Sequence, residues 1–457
     1  MTAAAWLIRG ARLLGRDPVD LLLGDDIVVE VGPAGSVPRS PGTQLYDANG
    51  LVVLPGLVDL HTHLREPGRE DAETVQSGTL AAALGGYTAV FAMPNTEPVA
   101  DTAGVVEQVW RLGAEAGHCD VQPIGAVTAG RRGERLAELG AMADSAASVR
   151  MFSDDGDCVH DAVLMRRALE YVKAFGGVIA QHAQEPRLTE DAQMNEGELA
   201  GILGLAGWPA VAEEAIIARD VLLTAHVGSR LHICHVSTAG SVEIIRWAKT
   251  KGWNVTAEVT PHHLLLTDEL VRSYDPVYKV NPPLRTASDV AALRAGLADG
   301  TIDLVATDHA PHPVEDKDCE WAAAAAGVIG LETALSVVCE AMVETGLLDW
   351  AGVADRMSVR PAQVGQLASH GQPPRRRGSP SEPARPAAQS IQPAGSDLTG
   401  RTAANLTLVD PAARWVVDPA TSAGRSRNTP FAGRELPCRV VATFLRGRPT
   451  VLDGKPA

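Results

Sequence analysis

The chain has 457 residues, of which 45% are apolar and 21% charged, and its formal net charge is −16. This length allows two or three domains, or one barrel of about 250 residues with a further small domain. The acidic balance disfavours nucleic-acid binding, which requires a basic face, and no apolar run approaches the roughly 20 residues of a membrane helix. The cysteines lack CxxC spacing and the start of the chain lacks a signal-peptide pattern, so we expect a cytoplasmic protein with reduced thiols.

The two ends of the chain share one pattern of short β-rich segments separated by turns. WLIRGARLL and VDLLLGDDIVVEVG lie near the start, and NLTLVD, ARWVVD and CRVVATFLRGRPTVLDG lie near the end. The turns are marked by Gly-Asp-Asp and Gly-Pro. Because neither end is long enough to make a good domain alone, we predict one small β-sandwich domain built from residues 1–54 and 403–457.

Residues 55–368 alternate short apolar strands with amphipathic helical stretches. The strand candidates, the first of which begins just before this range, are 52–60, 88–93, 121–126, 149–152, 178–183, 231–236, 255–259 and 304–307. The helical candidates include 72–84, 105–116, 161–175, 210–227 and 238–250. This order predicts an α/β fold, a closed (β/α)₈ TIM barrel. An open doubly wound sheet is the alternative, but it would carry a glycine-rich phosphate turn after an early strand, and neither GxGxxG nor GxxxxGK occurs.

Residues 369–402 differ in composition from the rest of the chain. They are rich in Pro, Gly, Ser and Arg and contain almost no large apolar side chains. Such a segment cannot bury enough apolar surface to offset its ordering entropy, so we predict a disordered insertion.

Residues of the types that bind metals follow several of the predicted strands. His61 and His63 end the first strand, and in an extended chain residues two apart point to the same face, where Asp59 also lies. Asp154-Asp155 follow the fourth strand. A turn is the alternative explanation for these two aspartates, because Gly156 comes next.

Three more strands end in the same way, with His182, His235 and Asp308 after the fifth, sixth and eighth strands. A lone histidine after an apolar strand is more often a satisfied core residue. In a barrel, however, the carboxyl ends of all strands meet at one face. Four histidines and two carboxylates exceed the three protein ligands of an ordinary catalytic zinc, so we predict a two-metal site with a bridging carboxylate. His226 and His232 are expected to be structural or surface residues, and His262 and His263 are given no role.

Eight motifs carry a resemblance to a known family. In chain order they are HTHLREPG, MPNT, MFSDDG, AQHAQE, CHVSTAG, EVTPHHL, NPPLR and ATDHAPH. Together they resemble the dihydroorotases of the amidohydrolase superfamily, of the bacterial single-chain (class I) type, over nearly the whole chain except 371–402. The resemblance implies zinc-dependent, reversible cyclisation of N-carbamoyl-L-aspartate to L-dihydroorotate with release of water, the third step of de novo pyrimidine (UMP) biosynthesis.

The resemblance also implies roles for individual residues. Two Zn²⁺ ions per chain are expected, with metal contacts from His61, His63, Asp155, His182, His235 and Asp308. Asp308 is also implied as the catalytic acid and base. The substrate-binding positions implied are His63, Arg65, Asn95, Asn281, His312, Ala326 and Gly327. Related hydantoinase-like enzymes bridge the metals with a carboxylated lysine, whereas the corresponding neighbourhood here offers Arg150, which cannot form a carbamate.

Two alternatives remain. A hydantoinase or allantoinase would share the metal histidines, but typically the lysine bridge as well. A catalytically silent homologue could serve as a structural partner of aspartate transcarbamoylase, but such proteins usually lose ligands, and every ligand position is filled here. The expected partner is the small-molecule substrate, with no nucleic acid and no membrane. A homodimer and an association with aspartate transcarbamoylase are further expectations.

Overall fold

The computed structural model describes residues 5–367 and 402–457. The predicted insertion at 369–402 lies outside these residues, except for Thr402. The strands are β1 (Trp6–Leu13), β2 (Pro18–Gly24), β3 (Ile27–Pro33), β4 (Gln44–Asp47), β5 (Val52–Pro55), β6 (Leu57–Thr62), β7 (Tyr87–Ala92), β8 (Asp120–Pro123), β9 (Met151–Phe152), β10 (Val178–Gln181), β11 (Met194–Asn195), β12 (Gly207–Trp208), β13 (Leu231–Ile233), β14 (Val255–Val259), β15 (Leu304–Val305), β16 (Leu406–Val416), β17 (Glu435–Leu445), β18 (Arg448–Leu452) and β19 (Lys455–Pro456).

Helices separate most of the central strands. The α-helices are α1 (Val75–Leu84), α2 (Ala103–Ala116), α3 (Leu139–Asp144), α4 (Ala162–Lys173), α5 (Glu198–Leu203), α6 (Val211–Val227), α7 (Ala239–Thr250), α8 (Pro261–Leu265), α9 (Ala287–Asp299), α10 (Val314–Lys317), α11 (Ala334–Val338), α12 (Trp350–Ala354) and α13 (Arg360–Val364). Short 3₁₀ turns cover Ala129–Arg131, Asp268–Ser273, Pro276–Tyr278 and Pro419–Thr421, and π turns cover Cys339–Val343 and Asp355–Val359. Within the described ranges, no helix combines the length and apolar character needed to cross a membrane.

Both ends of the chain contribute to one nine-stranded sheet. Its order is β19-β18-β17-β16-β5-β1-β2-β3, with β4 paired to β1. The two ends join where β5 pairs antiparallel with β16, and Val53 lies opposite Leu408. Ile8, Leu21 and Phe444 are fully buried in the core of this sheet. The predicted β-domain built from both termini is therefore confirmed.

Eight parallel strands form the barrel. One ladder runs β6-β7-β8 and the other β9-β10-β13-β14-β15. Parallel bridges between Gly125 and Phe152 and between Thr62 and His309 join the two ladders at both edges. The Asp59 carboxylate also connects β6 with the chain after β15, because it accepts hydrogen bonds from the backbone amides of His61 at 3.1 Å and Thr307 at 3.0 Å. The sheet is closed, so the open doubly wound alternative is wrong.

The first barrel strand differs from its prediction. The apolar run at 52–60 is two strands, which separate at Gly56. β5 pairs with β1 and β16 in the terminal sheet, whereas β6 pairs with β7 in the barrel. Both halves are completely buried, so the hydrophobic pattern carries no sign of the break.

Candidate metal centre and active site

The carboxyl ends of five barrel strands bring six titratable side chains together. His61 is the penultimate residue of β6, and His63 follows that strand. Asp155, His182, His235 and Asp308 follow β9, β10, β13 and β15. The four histidines and Asp155 are buried, each less than 5% exposed. This is the convergence that a closed barrel predicts for residues at strand ends.

The Asp155 carboxylate lies at the centre of the cluster. Its Oδ1 is 3.3 Å from His61 Nε2, from His182 Nδ1 and from His235 Nε2. Its Oδ2 is 3.4 Å from His63 Nε2. One carboxylate thus contacts four imidazoles, three through Oδ1 and one through Oδ2.

These residues fit a pair of metal ions. Two groups, His61/His63/Asp155 and Asp155/His182/His235, each place three ligand atoms within 4.8 Å of one another, and they share Asp155. His61 Nε2 is buried and has no hydrogen-bond partner among the described residues. Imidazole nitrogen and carboxylate oxygen are donors that suit zinc and neighbouring transition metals.

Asp308 lies beside the first of these groups. Its Oδ1 is 3.0 Å from His63 Nε2 and 3.4 Å from His61 Nε2. Burial by itself raises the pKa of a carboxyl, but the charge on His61 and the hydrogen bond from His63 lower the pKa of Asp308 below its ordinary value. Asp308 is therefore an ionised carboxylate, as a proton acceptor must be.

Three residues of the site have left-handed backbone conformations. The φ angles are 62° at Arg65, 29° at His235 and 47° at Asp308. Residues with a side chain rarely adopt this region, and where they do it is commonly at functional sites held by the surrounding structure. Each of these residues follows a barrel strand and contributes its side chain to the site.

A pocket of about 260 Å³ opens beside the cluster. It is lined by His63, Arg65, Asn95, Asp155, Gly156, His182, Asn281, Asp308, Ala310, His312, Ala326 and Gly327. All seven positions expected to bind substrate thus lie around one cavity, together with three further expected metal ligands, Asp155, His182 and Asp308. Its size and polar lining suit a small polar molecule.

The pocket contains a positively charged side chain, Arg65, next to a neutral imidazole, His312. Burial lowers the pKa of Arg65 to about 10, so the guanidinium stays charged, and its Nε donates to the Pro311 carbonyl at 3.1 Å. Burial and the neighbouring Arg65 lower the pKa of His312 to about 3. His312 is therefore neutral near pH 7, and its Nε2 lies 3.0 Å from the Ala326 carbonyl oxygen.

Gly327 brings the backbone against this wall of the pocket. Its φ is 141°, and a Cβ there would lie 2.8 Å from the Ala310 Cβ and 2.9 Å from His312 Nε2. Neither contact can be accommodated without movement, so this position requires glycine.

Neighbouring side chains contact His61 and His63 through the Nδ1 atom of each ring and so orient the rings. Asn95 Oδ1 lies 2.8 Å from His63 Nδ1. Glu258 Oε1 lies 2.7 Å from His61 Nδ1, and its Oε2 lies 2.9 Å from His232 Nε2. Although burial raises the pKa of Glu258, the two imidazoles lower it to about 2. Such partners fix the tautomer of a metal-binding histidine and leave the other ring nitrogen for the metal.

Glu258 and His232 were not identified from the sequence as part of the site. The sequence signal for Glu258 was an acidic residue in the strand VTAEV. A carboxylate in a buried strand requires a polar partner. His232 is 1% exposed and contacts Glu258, so it is a buried structural residue. His226 lies in the last turn of α6.

The two aspartates of the SDDG motif have different surroundings. Asp154 accepts hydrogen bonds from the amides of Val127 at 2.8 Å and Thr128 at 3.0 Å, so it holds the loop in place. Asp155 faces the histidines. Arg150 donates to the carbonyls of Ala143 and Val149 at 2.8 and 2.9 Å.

His262 and His263 are the second and third residues of helix α8, which follows β14. His263 connects Thr260 Oγ1 at 2.8 Å with the Pro282 carbonyl at 3.1 Å, which is a structural role. Burial lowers the pKa of His262 to about 4, so its ring is neutral near pH 7.

Comparison with known proteins gives consistent sequence and structural matches. A family model described as dihydro-orotase-like matches residues 50–241. The chain is 69% identical to a dihydroorotase of Streptomyces coelicolor, covering 98% of this chain and 99% of that protein. It is 54% identical to a dihydroorotase of Mycobacterium tuberculosis, again over 98% of this chain and 99% of the relative.

Solved structures of cyclic amidohydrolases have the same fold. An L-hydantoinase (dihydropyrimidinase) from Arthrobacter aurescens superposes with a TM-score of 0.83 at 24% identity, covering 100% of this chain and 98% of that one. A dihydropyrimidinase from Brevibacillus agri gives a TM-score of 0.78 at 20% identity, with 99% and 96% covered. At these identities the likeness establishes the barrel with its terminal β-sandwich.

Proposed function

The chain belongs to the dihydroorotase family, and we propose that it catalyses the reversible cyclisation of N-carbamoyl-L-aspartate to L-dihydroorotate with release of water. This is the third step of de novo pyrimidine biosynthesis. The observation that supports it most strongly is the Asp155 carboxylate among four imidazoles, beside a pocket that also contains Arg65 and Asp308. A silent homologue is not favoured, because every expected ligand is present and convergent.

We further propose that the cluster holds two zinc ions. His61 and His63 would hold one ion, His182 and His235 the other, and Asp155 would contact both. When bound, such ions supply Lewis acidity, which activates water near neutral pH and polarises the carbonyl group of an amide.

Asp308 moves the proton in both directions of the proposed reaction. In ring opening, its carboxylate accepts a proton from the attacking water and returns it to the ring nitrogen as the C–N bond breaks. In ring closure, it accepts a proton from the carbamoyl nitrogen as that nitrogen attacks the carboxylate carbon. It delivers this proton to the departing oxygen, which takes a second proton from solvent and leaves as water. The low pKa of Asp308 keeps the accepting form present at neutral pH.

Arg65 is proposed to bind the carboxylate that both substrates keep throughout the reaction. We expect Arg65→Lys to raise KM about tenfold, because an ammonium group lacks the planar fork that binds a carboxylate through two hydrogen bonds. Steady-state kinetics in the ring-opening direction would measure this. The matched control is Arg69→Lys, since Arg69 lies four residues away and pairs with Asp316 on the surface. An unchanged KM in Arg65→Lys would assign the residue another role.

The function itself is tested by ring opening of L-dihydroorotate, followed by ultraviolet absorbance, with metal content determined on the same sample. We expect turnover with about two zinc ions per chain, and loss of turnover and a lower Tm after chelation. Turnover of hydantoin or allantoin but not of L-dihydroorotate would contradict the proposal. A metal-free, inactive protein with an unchanged fold would favour the silent homologue.

The remaining expectations concern the location, the assembly and the domain boundaries of the protein. A cytoplasmic location, a homodimer and an association with aspartate transcarbamoylase stay predictions. The division into a terminal β-domain (1–54 and 403–457), a barrel (55–368) and an insertion (369–402) likewise stays our proposal for the domain boundaries.

A further inference from the structure

Gln184 connects an expected metal ligand with an expected substrate-binding residue. Its Oε1 lies 2.8 Å from His182 Nε2 and 3.3 Å from Asn281 Nδ2. Its own Nε2 donates to Thr189 Oγ1 at 2.7 Å. Gln184 has no part in the mechanism proposed above.

The orientation of the Gln184 amide follows from His182. The ring atom of His182 that faces the cluster is Nδ1, 3.3 Å from Asp155 Oδ1 and 2.9 Å from His235 Nε2. A neutral imidazole that offers Nδ1 to a metal carries its hydrogen on Nε2, so Nε2 must donate. Gln184 must therefore present its oxygen to His182.

The same oxygen then fixes the amide of Asn281. An oxygen facing Asn281 can only accept, so Asn281 must direct its Nδ2 hydrogens towards Gln184. The carbonyl oxygen at the other corner of this planar amide, Oδ1, is buried and has no hydrogen-bond partner among the described residues. Asn281 lines the pocket, so this unpaired oxygen is the acceptor that the side chain has left for a bound molecule, while the second Nδ2 hydrogen stays available as a donor.

We propose that Gln184 is a positioning residue that holds the Asn281 carbonyl oxygen towards the pocket, where it accepts a hydrogen bond from an N–H group of the substrate. This inference rests on the proposed function. Both N-carbamoyl-L-aspartate and L-dihydroorotate carry N–H groups. Their carboxylates are ionised at neutral pH and cannot donate, so a carboxylate cannot satisfy the Asn281 oxygen, whereas Arg65 can bind one.

This arrangement gives the two ends of the substrate different partners. Arg65 recognises the carboxylate, and Asn281 recognises the amide side. A buried acceptor without a donor is unfavourable, so a molecule lacking the N–H group binds more weakly than one that has it. Because Gln184 uses one oxygen for both contacts, it also couples the geometry of His182 to substrate recognition.

The first test is a double-mutant cycle on the zinc-loaded enzyme, using Gln184→Met, Asn281→Ala and the double variant. We expect each single change to raise KM about tenfold, and the double variant to show no further rise, because Gln184 affects substrate through Asn281. We expect Gln184→Met to speed zinc loss to a chelator in both backgrounds, whereas Asn281→Ala leaves zinc retention unchanged.

Two further variants separate positioning from a general structural effect. Gln184→Glu keeps an acceptor oxygen and is expected to stay within about threefold of the wild-type KM. Thr189→Val removes the other partner of Gln184, together with the bonds of that hydroxyl to the Glu185 and Pro186 carbonyls, and serves as the matched control with near-normal KM. KM effects that multiply in the double variant would overturn the proposal. A Gln184→Glu variant as impaired as Gln184→Met would also overturn it.

The second test changes the ligand. Inhibition constants against L-dihydroorotate are measured for dihydroorotate methylated on one or the other ring nitrogen. One of the two methylated compounds is expected to bind the wild-type enzyme about tenfold more weakly than it binds Asn281→Ala, because the methyl group removes the donor that Asn281 requires. Equal discrimination by the two enzymes would overturn the role of Asn281. Wild-type turnover of L-dihydroorotate is measured separately, so a failure of the proposed function is distinguishable from a failure of this inference.

Discussion

Replacing Asp308 by asparagine is expected to lower kcat for ring opening about a thousandfold, within the range lost when a general acid–base group is removed. Asparagine has nearly the same shape and keeps an oxygen that can lie near His63, now 3.0 Å from Asp308 Oδ1. It cannot accept a proton at neutral pH. Because Asp155 and the four histidines are unchanged, we expect the metal content to remain close to that of the wild type.

Kinetics and metal analysis on the same preparation would measure the effect of Asp308→Asn. Asp316→Asn is a suitable control, because Asp316 is on helix α10, which follows the same barrel strand, and pairs with Arg69 at the surface. Retained turnover in Asp308→Asn would contradict the assignment of the proton shuttle. Loss of turnover together with loss of metal would instead assign Asp308 mainly to metal binding.

Much of the candidate site could be predicted because barrel topology converts sequence positions into spatial positions. His61 and His63 share a face through the two-residue period of a strand, and closure of the barrel brings Asp155, His182 and His235 to the same end. The sequence therefore predicted which residues converge without any distance information. That they hold two zinc ions stays a prediction.

Other features depend on contacts between distant parts of the chain. Glu258 meets His61 across 197 positions of sequence, and Gln184 meets Asn281 across 97. The residue types alone did not predict these pairs, because each depends on the register of strands and on the path of the loops that follow them. The separation of β5 from β6 was missed for a similar reason, since partner strands from the carboxyl end of the chain decide which sheet each half joins.

Asp155→Asn is expected to have the largest effect of all, with bound metal falling from about two ions to less than one per chain and turnover lost with it. The wild-type carboxylate lies within 3.4 Å of all four imidazoles and supplies the negative charge between them. An amide has no net charge and only one acceptor oxygen, so two cations would face four neutral imidazoles without an anion between them, and Asp308 beside His61 and His63 would be the one carboxylate left in the cluster. In this chain Arg150 cannot replace that anion by forming a carbamate, and its guanidinium is bonded to the carbonyls of Ala143 and Val149.

The matched control for Asp155→Asn is Asp157→Asn, because Asp157 lies two residues further along, is exposed and pairs with Arg131. Metal content by elemental analysis and Tm with and without chelator should be measured for both variants. Chelation is expected to lower the Tm of the wild type and of Asp157→Asn, but to change that of Asp155→Asn little, since a protein that binds little metal has little binding energy to lose. Full metal content and normal turnover in Asp155→Asn would mean that the histidines hold the ions without a bridging carboxylate, and the two-metal arrangement proposed for this cluster would then be wrong.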